Sequence, residues 1–319
     1  NAPKTFFPQA YVETCSVLAW MQLNRELLAI TGHARYADEL ERTGYNDLLA
    51  AMAPNGEDWC YYTFPNGKRV HTTYWRCCKS SGAMAVEELP QVAYGLAADG
   101  GLRVNLYGPG QATLAHPVAG PVALEQHTRY PFDGGIELTV SPERAASFAI
   151  GLRRPDWAGS IELCVNGICQ GDLPVGSDGF IQISRTWEPG DVVSVRLPLV
   201  PTLHHAANIN VQESRAPDGS PVAQQVLRWE YVGLTYGPLV YATGLIDGYK
   251  TEETVILPDA LPNQWLHVGA DDGHGASITM QLDCRPPLTF VPHYRCGGRE
   301  HGAWRLSWLS LAPSAASPG

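Results

Sequence analysis

Two hydrophobic periods divide the chain near residue 95. Before it, apolar residues recur three and four positions apart. Val17, Leu18, Met21, Leu27, Leu28 and Ile30 predict a first helix. Gly32 follows as its C-cap, where a left-handed residue ends many helices. Tyr36, Ala37, Leu40, Tyr45, Leu48, Leu49 and Met52 predict a second helix that stops before Pro54-Asn55-Gly56. Residues 57–75 are aromatic and polar, with a turn signal at Pro65-Asn66-Gly67. A third helix is predicted over roughly 81–94, bent or broken at Pro90.

After residue 95 the period falls to two. Val104 and Leu106, then Ile136, Leu138 and Val140, then Phe148, Ile150 and Leu152, then Val193, Val195 and Leu197 alternate with small or polar residues. Turn signals at Asp133-Gly134-Gly135, Asp178-Gly179 and Pro189-Gly190-Asp191 separate short strands, the pattern of a β-sandwich. Asn166-Gly167 reads as a two-residue hairpin turn that sets Cys164 opposite Cys169. These two are expected as buried thiols, because strained cross-strand bridges are uncommon; a disulfide is the alternative. Pro198 and Pro201 mark a second boundary. Beyond it Gly237-Pro238-Leu239-Val240-Tyr241 is the clearest strand, and residues 312–318 read as a disordered tail. The expected organisation is multidomain, α plus β, in three parts: 1–95, 96–199 and 200–319.

Composition narrows the function. A chain of 319 residues, 45% apolar and 17% charged, has the length and balance of an ordinary globular protein with real cores. The net charge of -10 argues against nucleic acid and against anionic membrane surfaces. No apolar run approaches a bilayer span. The opening residues show neither an initiator Met nor a signal-peptide pattern, as in a fragment or a processed form. Eight cysteines are too few for a disulfide scaffold at this length, which turns attention to metal binding or free thiols.

Cysteine placement carries the chemistry. Cys77 and Cys78 are adjacent, and Glu13-Thr14-Cys15 lies near the chain start. Three cysteines and a carboxylate make a full ligand set for tetrahedral zinc. Glu13 and Cys15 reach one ion together if they lie in the extended lead-in to the first helix. Cys77 and Cys78 reach it from a turn before the third helix. Metal keeps sulfur anionic at neutral pH, and a thiolate aimed into a pocket is a nucleophile with an anomeric carbon among its targets. Tyr61, Tyr62, Tyr74 and Trp75 are candidates to stack on a sugar ring, and His71 and Arg76 to bond hydroxyls. Ordinary packing competes for His71, Tyr74 and Trp75. A closed structural zinc site, no zinc at all, and a vicinal Cys77–Cys78 disulfide are the competing assignments for the cysteines.

Several segments, in this order, resemble glycoside hydrolase family 127, the β-L-arabinofuranosidase family. They are Glu13-Thr14-Cys15, the stretch from Tyr36 to Asn46, Cys77-Cys78 and Val104-Asn105-Leu106-Tyr107. Leu152-Arg153-Arg154-Pro155-Asp156-Trp157, Val165-Asn166-Gly167 and the stretch from Tyr236 to Tyr241 complete the set. The resemblance implies the end of an (α/α)6 barrel followed by two antiparallel β-sandwich domains. It implies a retaining, exo-acting β-L-arabinofuranosidase-like glycosidase with Cys77 as nucleophile and zinc on Glu13, Cys15, Cys77 and Cys78. The family's general acid, a glutamate N-terminal to Glu-x-Cys, is expected to precede Asn1. Glu41, in the Glu-Arg-x-x-Tyr-Asn stretch, is a candidate for lining the sugar pocket, with a solvated helix carboxylate as the competing assignment. With His71 and Trp75 it completes the substrate-binding set. Better-known members follow the cysteine pair with Pro-Pro-Asn, where this chain has Lys79-Ser80-Ser81.

Two other functions remain open at this level. One is a two-carboxylate glycosidase using Glu13 and a second acid, for which Glu41 is a candidate, with structural cysteines. The other is a non-catalytic carbohydrate-binding or interaction module with a structural zinc site. The expected partners are an arabinofuranoside-like carbohydrate and either the N-terminal part of the barrel or a second copy of the chain. Zinc thiolates favour a reducing, cytoplasmic compartment.

Overall fold

The structure is a computed structural model that describes residues 6–72, 76–245, 254–283, 285–296 and 304–312. The first helix spans Thr14–Thr31 and ends at Gly32, whose φ of 66° is left-handed and whose N–H returns to the Leu28 carbonyl. Val17, Met21 and Leu28 are buried, while Ile30 is 78% exposed. Two residues beyond Leu28, it lies on the opposite side of the helix.

The second helix, Ala34–Arg42, runs without a break into a π-helical turn over Thr43–Leu48 and a last α-turn at Leu49–Ala51. Gly44 faces the Leu89 side chain, where a Cβ would come within 3.0 Å. The π-turn faces the rest of the molecule. Tyr45 packs against both β cores. Asn46 donates to the Pro238 carbonyl at 2.9 Å and accepts from the Val240 N–H at 2.7 Å.

The third helix corrects the sequence-based boundary. It spans Arg76–Val92, so the cysteine pair lies inside its first turn and not in a turn before it. No glycine or proline interrupts Arg76 to Ser81 to delay it. Pro90 is accommodated because it falls in the last turn, where one lost hydrogen bond does not end the helix. Gly82 of the third helix faces Trp59, where a Cβ would lie 2.4 Å from the ring.

Strands follow from Tyr94. Residues 110–196 supply most of a six-stranded and a four-stranded sheet. The first gives Val122, Leu124, Leu138, Val140, Val193 and Val195 to a common core, and the second gives Leu102, Val104, Ile150, Leu152, Ile183 and Trp187. In Gly135–Pro142 every second residue is buried, as the period-two pattern requires. The Asn166-Gly167 turn is present, with φ of 49° and 77°. Cys164 does face Cys169, but the pair forms a disulfide, contrary to the expected buried thiols. The hairpin is the edge of the six-stranded sheet and Ile168–Cys169 is exposed, so burial does not shelter the thiols there.

The C-terminal part is built on a long hairpin, Pro201–Arg215 with Pro221–Tyr236. Its second strand pairs with Leu239–Ala242 and with Trp308–Leu311. Gly237, with φ of 56°, is a turn residue, so this strand starts two residues later than the sequence suggests. Trp304–Leu306 reaches back to pair with Asn66–Lys68 beside the helices. The expected disordered tail lies outside the described residues, apart from Ala312. The chain is thus α plus β, mostly strands, and the described helices do not close a ring by themselves.

One buried group joins the helices to the first pair of sheets. Arg153, at the end of strand Ala146–Arg153, is 0% exposed. Its guanidinium pairs with Asp38 and Glu41 of the second helix and donates to the Asn105 carbonyl. Glu41 also accepts from the Tyr130 hydroxyl at 2.7 Å and the Trp157 indole at 3.3 Å. Burial pushes the Asp38 carboxyl up to about 6 against the pull of Arg153.

Three outcomes follow from this packing. Arg153→Met strands two buried carboxylates and is expected to cost roughly 3–5 kcal/mol in denaturant unfolding. Because the folded-state value of Asp38 is raised, its proton is bound more tightly in the native state. Its contribution is therefore lost as pH rises through about 6. Asp38→Asn, which cannot ionise, should gain stability relative to the parent across that range in paired thermal melts. Gly82→Ala should lower stability by about 1–3 kcal/mol by forcing Trp59 aside.

Candidate metal and nucleophile site

The start of the first helix is fixed by its neighbours. Val12–Glu13 pairs with Tyr62–Thr63, with Glu13 opposite Tyr62. The Thr14 hydroxyl donates to the Cys60 carbonyl at 2.7 Å, and the Thr14 N–H to Tyr61 at 3.1 Å. Glu13 is extended, with φ -82° and ψ 137°, as its proposed role requires. Cys15 is not: it is already in the first helical turn.

Packing of the first helix against the third brings the Cys15, Cys77 and Cys78 sulfurs within 4.8 Å of one another. Cys77 Sγ and Cys78 Sγ are 3.8 Å apart and unbonded, which removes the vicinal disulfide. The Ser81 hydroxyl donates to Cys15 Sγ at 3.4 Å. Cys78 is fully buried, Cys15 half-buried and Cys77 exposed.

Burial pushes the Cys15 thiol up, partly offset by the Ser81 hydroxyl. Burial, then the neighbouring Cys77 and Cys15 sulfurs, push Cys78 well above an ordinary thiol. Cys15 and Cys78 thus resist ionising unless a cation sits among the sulfurs, and a bound metal would supply that cation. Around one tetrahedral zinc with Zn–S of about 2.3 Å, sulfurs are spaced about 3.8 Å apart. The Cys77–Cys78 spacing matches that edge, so the sulfur set fits a metal ion.

Glu13 stands beside this set but outside the cluster of three. Its carboxylate takes a hydrogen bond from the Tyr61 hydroxyl, which is pushed up to about 12, first by that bond and then by burial. His71 is half-buried, paired across strands with Cys60. Trp75 and Tyr74 lie outside the described residues. Glu41 is not a solvated helix carboxylate: Arg153, Tyr130 and Trp157 bond its oxygens, and it also lines a cavity of about 310 Å³ with Tyr45, Tyr94 and Tyr107. Sequence reasoning missed Ser81 and Thr14. Ser81 follows Cys77 by four residues in one helix, a spacing that places the two on one face.

Known proteins match along most of the chain. Residues 2–91 match the beta-L-arabinofuranosidase GH127 catalytic domain, and residues 101–199 the GH127 middle domain. A non-reducing end beta-L-arabinofuranosidase from Bifidobacterium longum subsp. longum is 28% identical over 93% of this chain and 48% of its own length. A GH127 beta-L-arabinofuranosidase from Geobacillus stearothermophilus T6 shares the fold with a TM-score of 0.72. It is 24% identical, over 96% of this chain and 51% of that one. A second GH127 beta-arabinofuranosidase structure gives a TM-score of 0.72 at 23% identity, over 98% of this chain and 51% of that one. The chain therefore spans about half the length of these relatives. With catalytic-domain and middle-domain matches in sequence order and the cysteine pair in place, this chain belongs to the GH127, or β-L-arabinofuranosidase, family.

Proposed function

We propose that the chain carries the nucleophile and the metal ligands of a retaining glycoside hydrolase acting on terminal β-L-arabinofuranosides. The observation that carries this reading is the unequal exposure of the paired cysteines. Cys78 is sealed in the helix packing, and Cys77 opens outward from the same cluster. Zinc is the ion the thiolate-rich set suits best, with Cys15, Cys77 and Cys78 as ligands and Glu13 as the fourth. Bound zinc would keep the sulfurs ionised at neutral pH.

The chain's own residues then divide the work. Cys78 and Cys15 hold the cluster from the packed side. Tyr61 fixes the Glu13 carboxylate. Cys77 Sγ attacks the anomeric carbon, forming a C–S bond as the C–O bond to the leaving group breaks. Water then displaces the sulfur from the same side as the departed group, with net retention. A general acid, which the family resemblance places N-terminal to Glu13, gives the leaving oxygen its proton and takes one back from the incoming water. The two-carboxylate alternative loses support, because Glu41 is locked to Arg153. The architecture proposed for the whole is part of an (α/α)6 barrel followed by two β-sandwiches, divided near residues 95 and 199. A reducing compartment would suit the free thiolates, whereas the Cys164–Cys169 disulfide suits an oxidising one.

A reduced, chelator-free sample of the full chain should contain about one zinc per molecule, and Cys78→Ser should lose it. Cys77→Ser should lower hydrolysis of a β-L-arabinofuranoside at least about a thousandfold. A reactive arabinofuranosyl inhibitor should add its mass to the Cys77 peptide alone. Hydrolysis that survives Cys77→Ser would return the reading to a two-carboxylate mechanism.

A further inference from the structure

The cavity of about 310 Å³ that Glu41 lines has no part in the functional reading above. It lies in the seam between the helices and the first pair of sheets. Glu41 and Tyr45 face it from the second helix and its π-turn, Gln126 and Ala112 from the six-stranded sheet. The third helix ends against it through Leu89 and Pro90. Cys77 and Cys78 stand at the other end of that helix, about 18 Å away along its axis at a rise of about 1.5 Å per residue. A ligand held in the cavity is therefore out of reach of the cysteine cluster.

Most of its polar groups are bonded within the fold. Tyr107 donates its hydroxyl to the Arg153 carbonyl at 2.6 Å, and Tyr45 donates to the Tyr107 carbonyl at 3.3 Å. The Gln126 amide nitrogen donates to the Tyr94 hydroxyl at 2.9 Å and to the Leu106 carbonyl at 3.1 Å. A carbonyl only accepts, so the nitrogen must be the atom that faces Leu106, and the amide cannot be turned over. Gln126 Oε1 is thereby fixed as well. It has no hydrogen-bond partner, and the residue is 3% exposed. An amide oxygen taken out of water without a donor is unfavourable, and an O–H or N–H brought into the cavity satisfies it.

Charge and shape narrow the occupant. The Glu41 carboxylate is also in the wall, and its partner Arg153 is shared with Asp38. Two ionised carboxylates on one guanidinium make this end of the cavity unfavourable for an anion. The remaining walls are apolar: the rings of Tyr45, Tyr94 and Tyr107, with Leu89, Pro90 and Leu106. Such walls suit a flat apolar ring, and the volume is at the small end of ligand cavities, enough for one substituted ring. A sugar would bring several hydroxyls to one open acceptor and bury the others without partners. A phenol brings one.

We propose that this cavity is a second ligand site, which takes a small uncharged phenol, its hydroxyl donating to Gln126 Oε1 and its ring lying among Tyr45, Tyr94 and Tyr107. The site is independent of the glycosidase reading and stands or falls without zinc or Cys77. Its walls come from both sides of the Arg153 junction. A bound ring therefore adds contacts between helices and sheet that exist only in the folded chain, and binding raises stability.

The test titrates the full chain with para-cresol, toluene, para-toluate and L-arabinose, followed by saturation-transfer NMR and thermal melting. The cresol should bind at one site per chain and raise the melting temperature with its concentration. Toluene, the same ring without the hydroxyl, should bind about tenfold more weakly. Para-toluate and L-arabinose should show no binding at the same concentrations. Gln126→Leu should remove the preference for the cresol over toluene. Ala112→Phe, which fills the cavity from a half-buried strand position, should abolish binding of both. Each variant is first checked by thermal melting. Where a variant does not fold, NOEs from the bound cresol to the Leu89 and Leu106 methyls of the parent locate the ring instead. The proposal is overturned by no cresol binding, by equal affinity for toluene, or by tighter binding of L-arabinose. Undiminished binding in a folded Ala112→Phe, or NOEs that miss both leucines, overturns it equally.

Discussion

The buried guanidinium of Arg153 is the contact on which the arrangement of helices and sheets depends. A cation with no exposure is costly to bury unless its partners are complete. Here the partners come from a different part of the chain: Asp38 and Glu41 on the second helix, with Asn105 leading out of the strand beside it. The helix therefore has one position against the sheet in which all the charges are met. Tyr107 and Tyr130 tighten the same knot from the sheet side, Tyr107 through its bond to the Arg153 carbonyl at 2.6 Å. The neighbouring π-turn extends the junction to the C-terminal strands through Asn46.

This junction changes what the stretch from Tyr36 to Asn46 means. Of its charged and aromatic residues, Glu41 alone reads from the sequence as lining for a sugar pocket. In the fold they are the seam between parts: Asp38 and Glu41 to Arg153, Tyr45 to both β cores, Asn46 to the Leu239–Ala242 strand. A helix with so many fixed contacts is a rigid base, and the first helix packs on it while carrying Cys15. The cysteine cluster thus stands on helices whose positions are set by polar contacts elsewhere. The same principle operates at Gly82, where the absence of a side chain lets Trp59 come against the helix that carries Cys77 and Cys78.

Much of the local structure was legible in the sequence. Gly32 ended its helix because glycine reaches the left-handed region without strain. The alternation in residues 135–142 and the Asn166-Gly167 turn named a strand and a hairpin. The boundary errors share a cause. The third helix started at Arg76 and not near residue 81, and the second acquired a π-turn. In both places propensity allowed several outcomes and packing against Trp59, Leu89 and the β cores selected one. The disulfide was missed because opposition across strands was readable, but the exposed edge position of the hairpin was not.

By itself, then, the sequence determined what is local or carried by residue type. That includes the helix and strand periods, the turns, the acidic charge, and the presence of three cysteines and a carboxylate capable of holding a metal. Tertiary structure alone decided which of those residues meet. It drew Cys15 to Cys77 and Cys78, kept Glu13 at their side on the Tyr61 hydroxyl, gave Glu41 to Arg153, and set Tyr45, Tyr94 and Tyr107 around one cavity. The reason is physical. Periodicity fixes which face of an element is apolar, but the distance between two side chains on different elements depends on how those faces pack and which buried charges must be paired.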